Sequence, residues 1–159
     1  MQNLTSALLL EEEQRLRFSK LGTLDSLEIG ERIKFLGFER ELPIAVQIRI
    51  GDWIIYHASL PESSRENFWW MDRKVRVVLL KFHSTLFERV SAQERGVDWY
   101  QENRVSESTH AIQGGGLSLI TKAKGFIGGL LISGLPQLGD HLLGVEVLTE
   151  FLARKVELL

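Results

Sequence analysis

Residues that could contact a negatively charged ligand occur at two places in this chain. The first is a basic cluster in which Arg73 and Lys74 are followed by Arg76, and such side chains hold carboxylates or phosphates. The second is a glycine triplet, which consists of Gly114, Gly115 and Gly116. Because glycine has no side chain, the triplet predicts that backbone comes very close to a ligand, a partner subunit or another strand.

Both features also have a structural interpretation. A basic cluster on a helix is commonly a solvated or interface-edge cluster, and glycines at the start of a strand commonly mark a bulge or a close strand contact. The triplet is not a P-loop, since no Gly-Lys-Ser/Thr follows it. It is not a dinucleotide-binding turn either, since a strand rather than a helix comes next. The residues themselves leave these interpretations open.

Asp140 and His141 form a third group, at the start of the last predicted helix. Aspartate is a good N-cap, so Asp140 has a structural interpretation as the cap of that helix. His141 would then lie in the first turn, where the positive end of the helix dipole favours the neutral imidazole. We expect this pair either to cap and pack the helix or to contribute polar contacts to a ligand.

The composition excludes several classes of function. With 159 residues the chain is most simply one domain, and its net charge of −2 gives no basic surface for nucleic acid or anionic lipid. It has no cysteine, and its four histidines are not paired at helical spacing, so no metal site is predicted. No segment approaches the roughly 20 apolar residues of a membrane span, and the N-terminus does not read as a signal peptide. We therefore expect a cytoplasmic protein without a membrane partner.

Hydropathy patterns divide the chain into helices and hairpins. Helices are predicted from Thr5 or Ser6 to about Lys20, from Asp25 or Ser26 to about Arg40, over 66–82, over 84–95, and from Asp140 to about Glu157. Strands are predicted over 43–50, 53–60, 116–122 and 125–133, and residues 97–113 are predicted to be a loop or a poorly ordered connection. The order αα-ββ-αα-ββ-α predicts an α/β (α+β) domain with one antiparallel sheet and helices packed against it.

The predicted helix at 66–82 is apolar on more than one side. One face has apolar residues at helical spacing, whereas Trp69 and Trp70 lie off that face. Such a helix is buried either centrally or twice, once in its own core and once in a partner. We expect Trp69 and Trp70 to be interface anchors, as tryptophan often is.

Several segments carry a family resemblance. They are Leu42–Val46 with Ile48 and Arg49, Tyr56–Ala58, Asn67, Trp70, Arg73 and Lys74 with Arg76–Val78, and Ile132–Glu146, which reads ISGLPQLGDHLLGVE. In these segments the chain resembles the GlcG/HbpS-like haem-degrading-domain family, in its small stand-alone branch of bacteria and fungi. Residues 1–24 match no part of that family, and we interpret them as an N-terminal helical extension of a single domain over 1–159.

The resemblance implies a profilin-like fold, with α/β/α layers around an antiparallel sheet, and homo-oligomers built from dimers. Some relatives bind haem, which makes haem or another flat anionic ligand the candidate ligand. The site would have Gly114–Gly116 as its floor, with polar contacts from Arg73, Lys74, Asp140 and His141. The alternative is a structural or interaction protein whose homo-oligomeric assembly and partner surface are the function. An enzymatic activity rests on the family name alone.

Three positions depart from the family pattern. The family's His-Gly-Gly motif reads Gln113–Gly115 here, Phe-Pro after the glycines becomes Leu117-Ser118, and the usual aspartate of the first strand is Gln47. If the family histidine serves haem or a metal in relatives, this chain cannot use it.

Overall fold

The computed structural model describes residues 3–136 and 138–157. The helices of this part are α1 (Ser6–Arg15), α2 (Thr23–Glu39), α3 (Arg65–Lys81), α4 (Thr85–Arg95), α5 (Trp99–Asn103) and α6 (Gly139–Glu157). The strands are β1 (Ala45–Ile50), β2 (Trp53–Ser59), β3 (Gly116–Thr121) and β4 (Gly125–Ser133). Within the described residues, no helix combines the length and the apolar character that crossing a membrane requires.

The four strands form one antiparallel sheet in the order β2-β1-β4-β3. A turn at Gly51 and Asp52 joins β1 to β2, and Gly51 has a φ of 60°, which glycine tolerates without steric cost. The second hairpin, β3 and β4, is joined to the first through the pairing of β4 with β1. The two hairpins thus form a single sheet, as the sequence predicts.

Alternation along β1 sends side chains to two different helical layers. Val46 and Ile48 are fully buried in the main core, which they share with side chains of α2 and α6. Ala45 packs on the opposite face against Met71 and Val75 of α3. The sheet is therefore covered by helices on both faces, and the predicted α/β/α architecture is confirmed.

The first two helices differ from their predicted limits. Helix α1 ends at Arg15 rather than near Lys20, and Phe18 then runs beside β3, where its N–H donates to the Ile120 carbonyl at 3.0 Å. Helix α2 begins at Thr23, so the prediction that Asp25 or Ser26 caps it is wrong. The Asp25 carboxylate instead accepts the Gly22 N–H at 2.8 Å, from one turn inside the helix.

The connection at 97–113 is irregular, as the sequence predicts, except for one short helix. It contains α5, whose first residue Trp99 is 2% exposed and packs with Val77 and Ala92. The Trp99 indole N–H donates to a Glu88 carboxylate oxygen at 3.1 Å. Although the segment is polar in composition, its buried aromatic residue Trp99 packs against α3 and α4 and holds the segment there.

Helix α1 is attached to the domain by apolar and polar contacts. Leu9 is buried in a small cluster with side chains of α4. The carboxylates of the consecutive residues Glu12 and Glu13 reach two histidines, His141 at 2.6 Å and His83 at 2.7 Å. Each histidine lies on a different element, so α1 joins the start of α6 to the approach to α4.

The contact between Glu13 and His83 predicts a pH-dependent contribution to stability. The hydrogen bond to Glu13 is the main cause that raises the pKa of His83 above 6.5. A pKa that is higher in the folded protein contributes stability below pH 6.5, and this contribution is lost as the pH rises through the raised value. We expect His83→Asn to lower the free energy of unfolding, measured by urea denaturation, more just below pH 6.5 than at alkaline pH.

A His57→Asn variant is the matched control for that measurement. Burial and the charge of Arg49 lower the pKa of His57, so its pH trend should have the opposite sign. Equal effects of His83→Asn at the two pH values would contradict the assignment of the Glu13 contact.

Candidate functional site

An open cavity of about 360 Å³ lies at one end of the sheet, where α3, the approach to β3, the end of β4 and the start of α6 meet. Six of its ten lining residues have polar or charged side chains, and the full lining comprises Asn67, Trp70, Lys74, Arg89, Gln113, Gly114, Ser133, Gly134, Leu135 and Asp140. Its volume lies near the lower end of the range of pockets that hold small molecules, about 300–1,000 Å³. Three of the predicted ligand-binding residues, Lys74, Gly114 and Asp140, meet here.

Lys74 and Asp140 form a buried pair in the wall of this cavity. The Lys74 amine donates to the Asp140 carboxylate at 3.3 Å and to the Ile132 carbonyl at 3.0 Å. Their side chains are 3% and 6% exposed. Burial lowers the pKa of Lys74 and raises the pKa of Asp140, and in each case the charge of the partner acts in the opposite direction.

Asp140 is not the N-cap that the sequence predicts. Helix α6 begins at Gly139, so Asp140 is already helical. Its carboxylate points back to the preceding loop, where it accepts the Leu135 N–H at 2.9 Å and the Gly134 N–H at 3.3 Å. It therefore holds the loop between β4 and α6 in place while it binds Lys74.

The glycine triplet makes room for side chains of this same chain. A Cβ atom on Gly115 would lie 2.7 Å from the Lys74 amine and 2.4 Å from the Ile132 carbonyl oxygen, and the φ of Gly115 is 123°. A Cβ atom on Gly116 would lie 2.8 Å from the Thr85 methyl group. Only Gly114 of the triplet lines the cavity. Close packing is thus the established role of two of these glycines, and a ligand floor of all three stays a prediction.

Arg89 contributes a cation to the cavity that sequence reasoning missed. It is exposed on α4, and no carboxylate of residues 3–136 or 138–156 forms a salt bridge with it. Asn67 and Ser133 lie in the same lining, and the Asn67 amide donates to the Ser133 hydroxyl at 3.1 Å. Nothing in the periodicity of α4 distinguishes Arg89 from an ordinary solvated arginine, so only the fold identifies it.

Arg73 is separated from this cavity although it precedes Lys74 in the sequence. Its guanidinium lies 4.0 Å from the ring centre of Trp69 and 4.5 Å from that of Trp70. Its Nε donates to the Glu107 carbonyl at 2.8 Å. Arg73 is 5% exposed and is not among the cavity-lining residues, so the structure gives it a role in attaching the 97–113 segment.

His141 also lies outside the cavity lining. It is 1% exposed, its Nε2 contacts Glu12, and its Nδ1 has no hydrogen-bond partner within the described part of the chain. The other histidines are His57, His83 and His110, and none of the four lines the cavity. Among the residues that the structure describes, no three acidic or imidazole side chains are grouped to hold a metal.

A second polar network crosses the sheet on its α3 face. The Gln47 carbonyl oxygen accepts the Arg49 Nε–H at 2.9 Å, and the Gln47 amide nitrogen lies 3.0 Å from His57 Nδ1. His57 Nε2 in turn contacts the Ser59 hydroxyl at 2.9 Å, and Arg49 forms a salt bridge with Asp72 at 3.3 Å. Both the amide oxygen and the amide nitrogen of Gln47 therefore have partners in this network.

Known proteins provide independent information on this chain. A family model described as haem degrading protein HbpS-like matches residues 23–149. A UPF0303 protein of Streptomyces avermitilis is 33% identical over 143 residues, which are 90% of this chain and 88% of that protein.

Solved structures share the same fold. The crystal structure of the Ybr137w protein has a TM-score of 0.85 at 24% identity, over 98% of this chain and 91% of that one. The crystal structure of the PduOC:heme complex has a TM-score of 0.68 at 17% identity, over 83% of this chain and 95% of that one. At these identities the two structures show the fold alone.

The buried pair predicts a large effect of Asp140→Ala on stability. The substitution removes the partner of a buried ammonium and the acceptor of two backbone N–H groups. We expect it to lower the free energy of unfolding by about 3–5 kcal/mol, measured by denaturant titration at neutral pH. Glu102→Ala, which breaks the exposed Arg95–Glu102 pair, is the control and should change it far less. Similar small losses for both variants would show that the buried pair does not stabilise the fold.

Proposed function

This chain belongs to the family of HbpS-like haem degrading proteins, and we propose that it binds a small anionic molecule in the cavity beside Lys74. The observation that carries the proposal is the exposed guanidinium of Arg89 in a cavity whose other charges cancel. An arginine without an ion pair offers a fork of N–H donors that fits a carboxylate or a phosphate.

The charge balance of the cavity supports an anionic ligand. Lys74 and Asp140 carry opposite charges and are bonded to each other, so their pair contributes no net charge. Arg89 is then the charged group that a ligand meets. Asn67, Gln113 and Ser133 add neutral donors and acceptors, and Trp70 adds an aromatic side chain to the lining. Such a lining suits a small monoanion with polar substituents.

Haem does not fit this set of donors. No imidazole lines the cavity, the chain has no cysteine, and the amine of Lys74 is bonded to Asp140 and Ile132. The usual protein ligands of haem iron are histidine, cysteine, methionine and tyrosine side chains, and the described lining has none of them. We therefore derive no chemistry through haem in this cavity, and we propose a smaller anion in place of the flat haem that the family resemblance implies.

Self-assembly is a second candidate function, and a specific surface favours it. Phe68 and Trp69 on α3 are 47% and 45% exposed, and the Phe68 ring lies edge-on to His57 of the edge strand β2. Trp53 and Ile54 at the start of β2 are also exposed. Aromatic side chains beside an open strand edge are common features of interfaces between subunits.

Anion binding is tested by calorimetric titration with pyruvate and inorganic phosphate. We expect at least one of them to bind, and Arg89→Ala to weaken it about tenfold or more, because a hydrogen bond to a charged group contributes about 1.5–3 kcal/mol. Arg95→Ala, on the same helix but outside the cavity, is the control and should bind like the wild type.

Two results would contradict the proposed site. One is that neither anion binds, and the other is that Arg89→Ala and Arg95→Ala bind equally well. Haemin titration of the same variants serves as a comparison, because haem binding that Arg89→Ala leaves unchanged would belong to another surface.

Assembly is tested by sedimentation velocity on variants of the two exposed faces. We expect the wild type to sediment as a dimer or a larger oligomer, and Trp69→Ala to shift the distribution towards the monomer. Phe35→Ala on α2 is the control, since Phe35 is 53% exposed on the opposite helical layer and should leave assembly unchanged. A monomeric wild type, or equal effects of both substitutions, would contradict this second candidate.

A further inference from the structure

We propose that Lys74 is a reactive amine that forms an imine with a 2-oxo acid held in the cavity. The inference rests on the proposed function, because it uses the same cavity and names the class of its ligand. It assigns to Lys74 a covalent role instead of the anion contact that its charge alone would indicate.

The hydrogen bonds of Lys74 can also be made by the neutral amine that remains when the ammonium of the Lys74–Asp140 pair loses a proton. A neutral amine has two N–H bonds and one lone pair, whereas an ammonium has three N–H bonds. The Lys74 nitrogen has two acceptors in the structure, the Ile132 carbonyl at 3.0 Å and the Asp140 carboxyl at 3.3 Å. With both N–H bonds donated to these acceptors, the lone pair is free to attack an electrophile.

The surroundings of the nitrogen are shaped to keep it in place. Gly115 lacks the side chain whose first carbon would lie 2.7 Å from the nitrogen, so the strand passes directly beside the amine. The Lys74 side chain is 3% exposed, and its burial lowers its pKa, which favours the unprotonated form. Reactive lysines in other proteins are activated by desolvation of this kind.

Asp140 is positioned to move the proton that imine formation requires. In this step the nitrogen lone pair of Lys74 attacks the carbonyl carbon, and the electrons of the C=O double bond pass to oxygen. Asp140 carries two protons in turn from the nitrogen to that oxygen: the first transfer gives the carbinolamine, and the second allows the oxygen to leave as water when the C=N bond forms. One water is released, no electron is gained or lost overall, and no further reactant is needed.

Arg89 selects the class of carbonyl compound. A 2-oxo acid carries its carboxylate directly on the carbonyl carbon, so the two groups can engage two different side chains of one small cavity. Arg89 offers the guanidinium for the carboxylate, and Lys74 offers the amine for the carbonyl carbon. A ketone without a carboxylate lacks the contact with Arg89.

Borohydride trapping tests this inference on the full chain. The protein is incubated with pyruvate and reduced with sodium borohydride, and the adduct is located by peptide mass mapping. We expect a single reduced adduct on the peptide that contains Lys74, with the exposed lysines unmodified. Acetone at the same concentration should leave Lys74 unmodified, and Arg89→Ala should lower the adduct yield at least tenfold.

Lys74→Arg keeps a cation beside Asp140 and should form no adduct. Peptide mapping of the wild type gives the result even if this variant does not fold. Calorimetric binding of pyruvate without an adduct on Lys74 would overturn the imine and leave the proposed anion site intact. If none of the tested anions binds, the proposed function itself is overturned. Adducts spread evenly over the exposed lysines would also overturn the imine.

Discussion

Lys74 of α3 and Asp140 of α6 meet at the end of the sheet, where almost no solvent reaches either side chain. Removing two charges from water costs several kcal/mol for each ion, and only good geometry with further hydrogen bonds compensates for it. The additional bonds are present here, from the Gly134 and Leu135 N–H groups to Asp140 and from Lys74 to the Ile132 carbonyl. One interaction therefore joins a helix, the end of a strand, a loop and the start of another helix.

Two glycines with positive φ lie beside that interaction. Gly115 passes so close to the Lys74 amine that no side chain fits, and its positive φ turns the chain into β3. Gly134 has a φ of 141°, and a Cβ atom there would lie 2.2 Å from the Pro43 carbonyl oxygen. At both positions a side chain is excluded by neighbouring atoms, which are the Lys74 amine at Gly115 and the Pro43 carbonyl oxygen at Gly134. The cavity is the space that remains beside this backbone.

The sequence predicts the sheet better than it predicts the site. The alternation of Val46 and Ile48 with Gln47 is a local signal, so the strand and its two faces can be read directly from the pattern. The start of α2 and the role of Asp140 cannot be read from the pattern. An aspartate carboxylate can accept a backbone N–H from a residue that follows it or from one that precedes it, and the sequence does not say which. Likewise, the polar composition of 97–113 hides Trp99, whose burial depends on partners far along the chain.

The separation of Arg73 from Lys74 shows why adjacent charged residues cannot be assumed to share a site. Successive residues on a helix point about 100° apart, so one side chain enters the interior towards Asp140 while the other stacks on Trp69 and Trp70. Among the described residues of the cavity, the cation that forms no salt bridge is Arg89, which lies on a different helix and without any local motif. Because Lys74 is already bonded within the protein, its charge adds little to anion attraction, and the chemistry still available to it is that of an amine. In the proposed site, Arg89 thus attracts the anionic ligand, and Lys74 is held beside Asp140, where its amine can react.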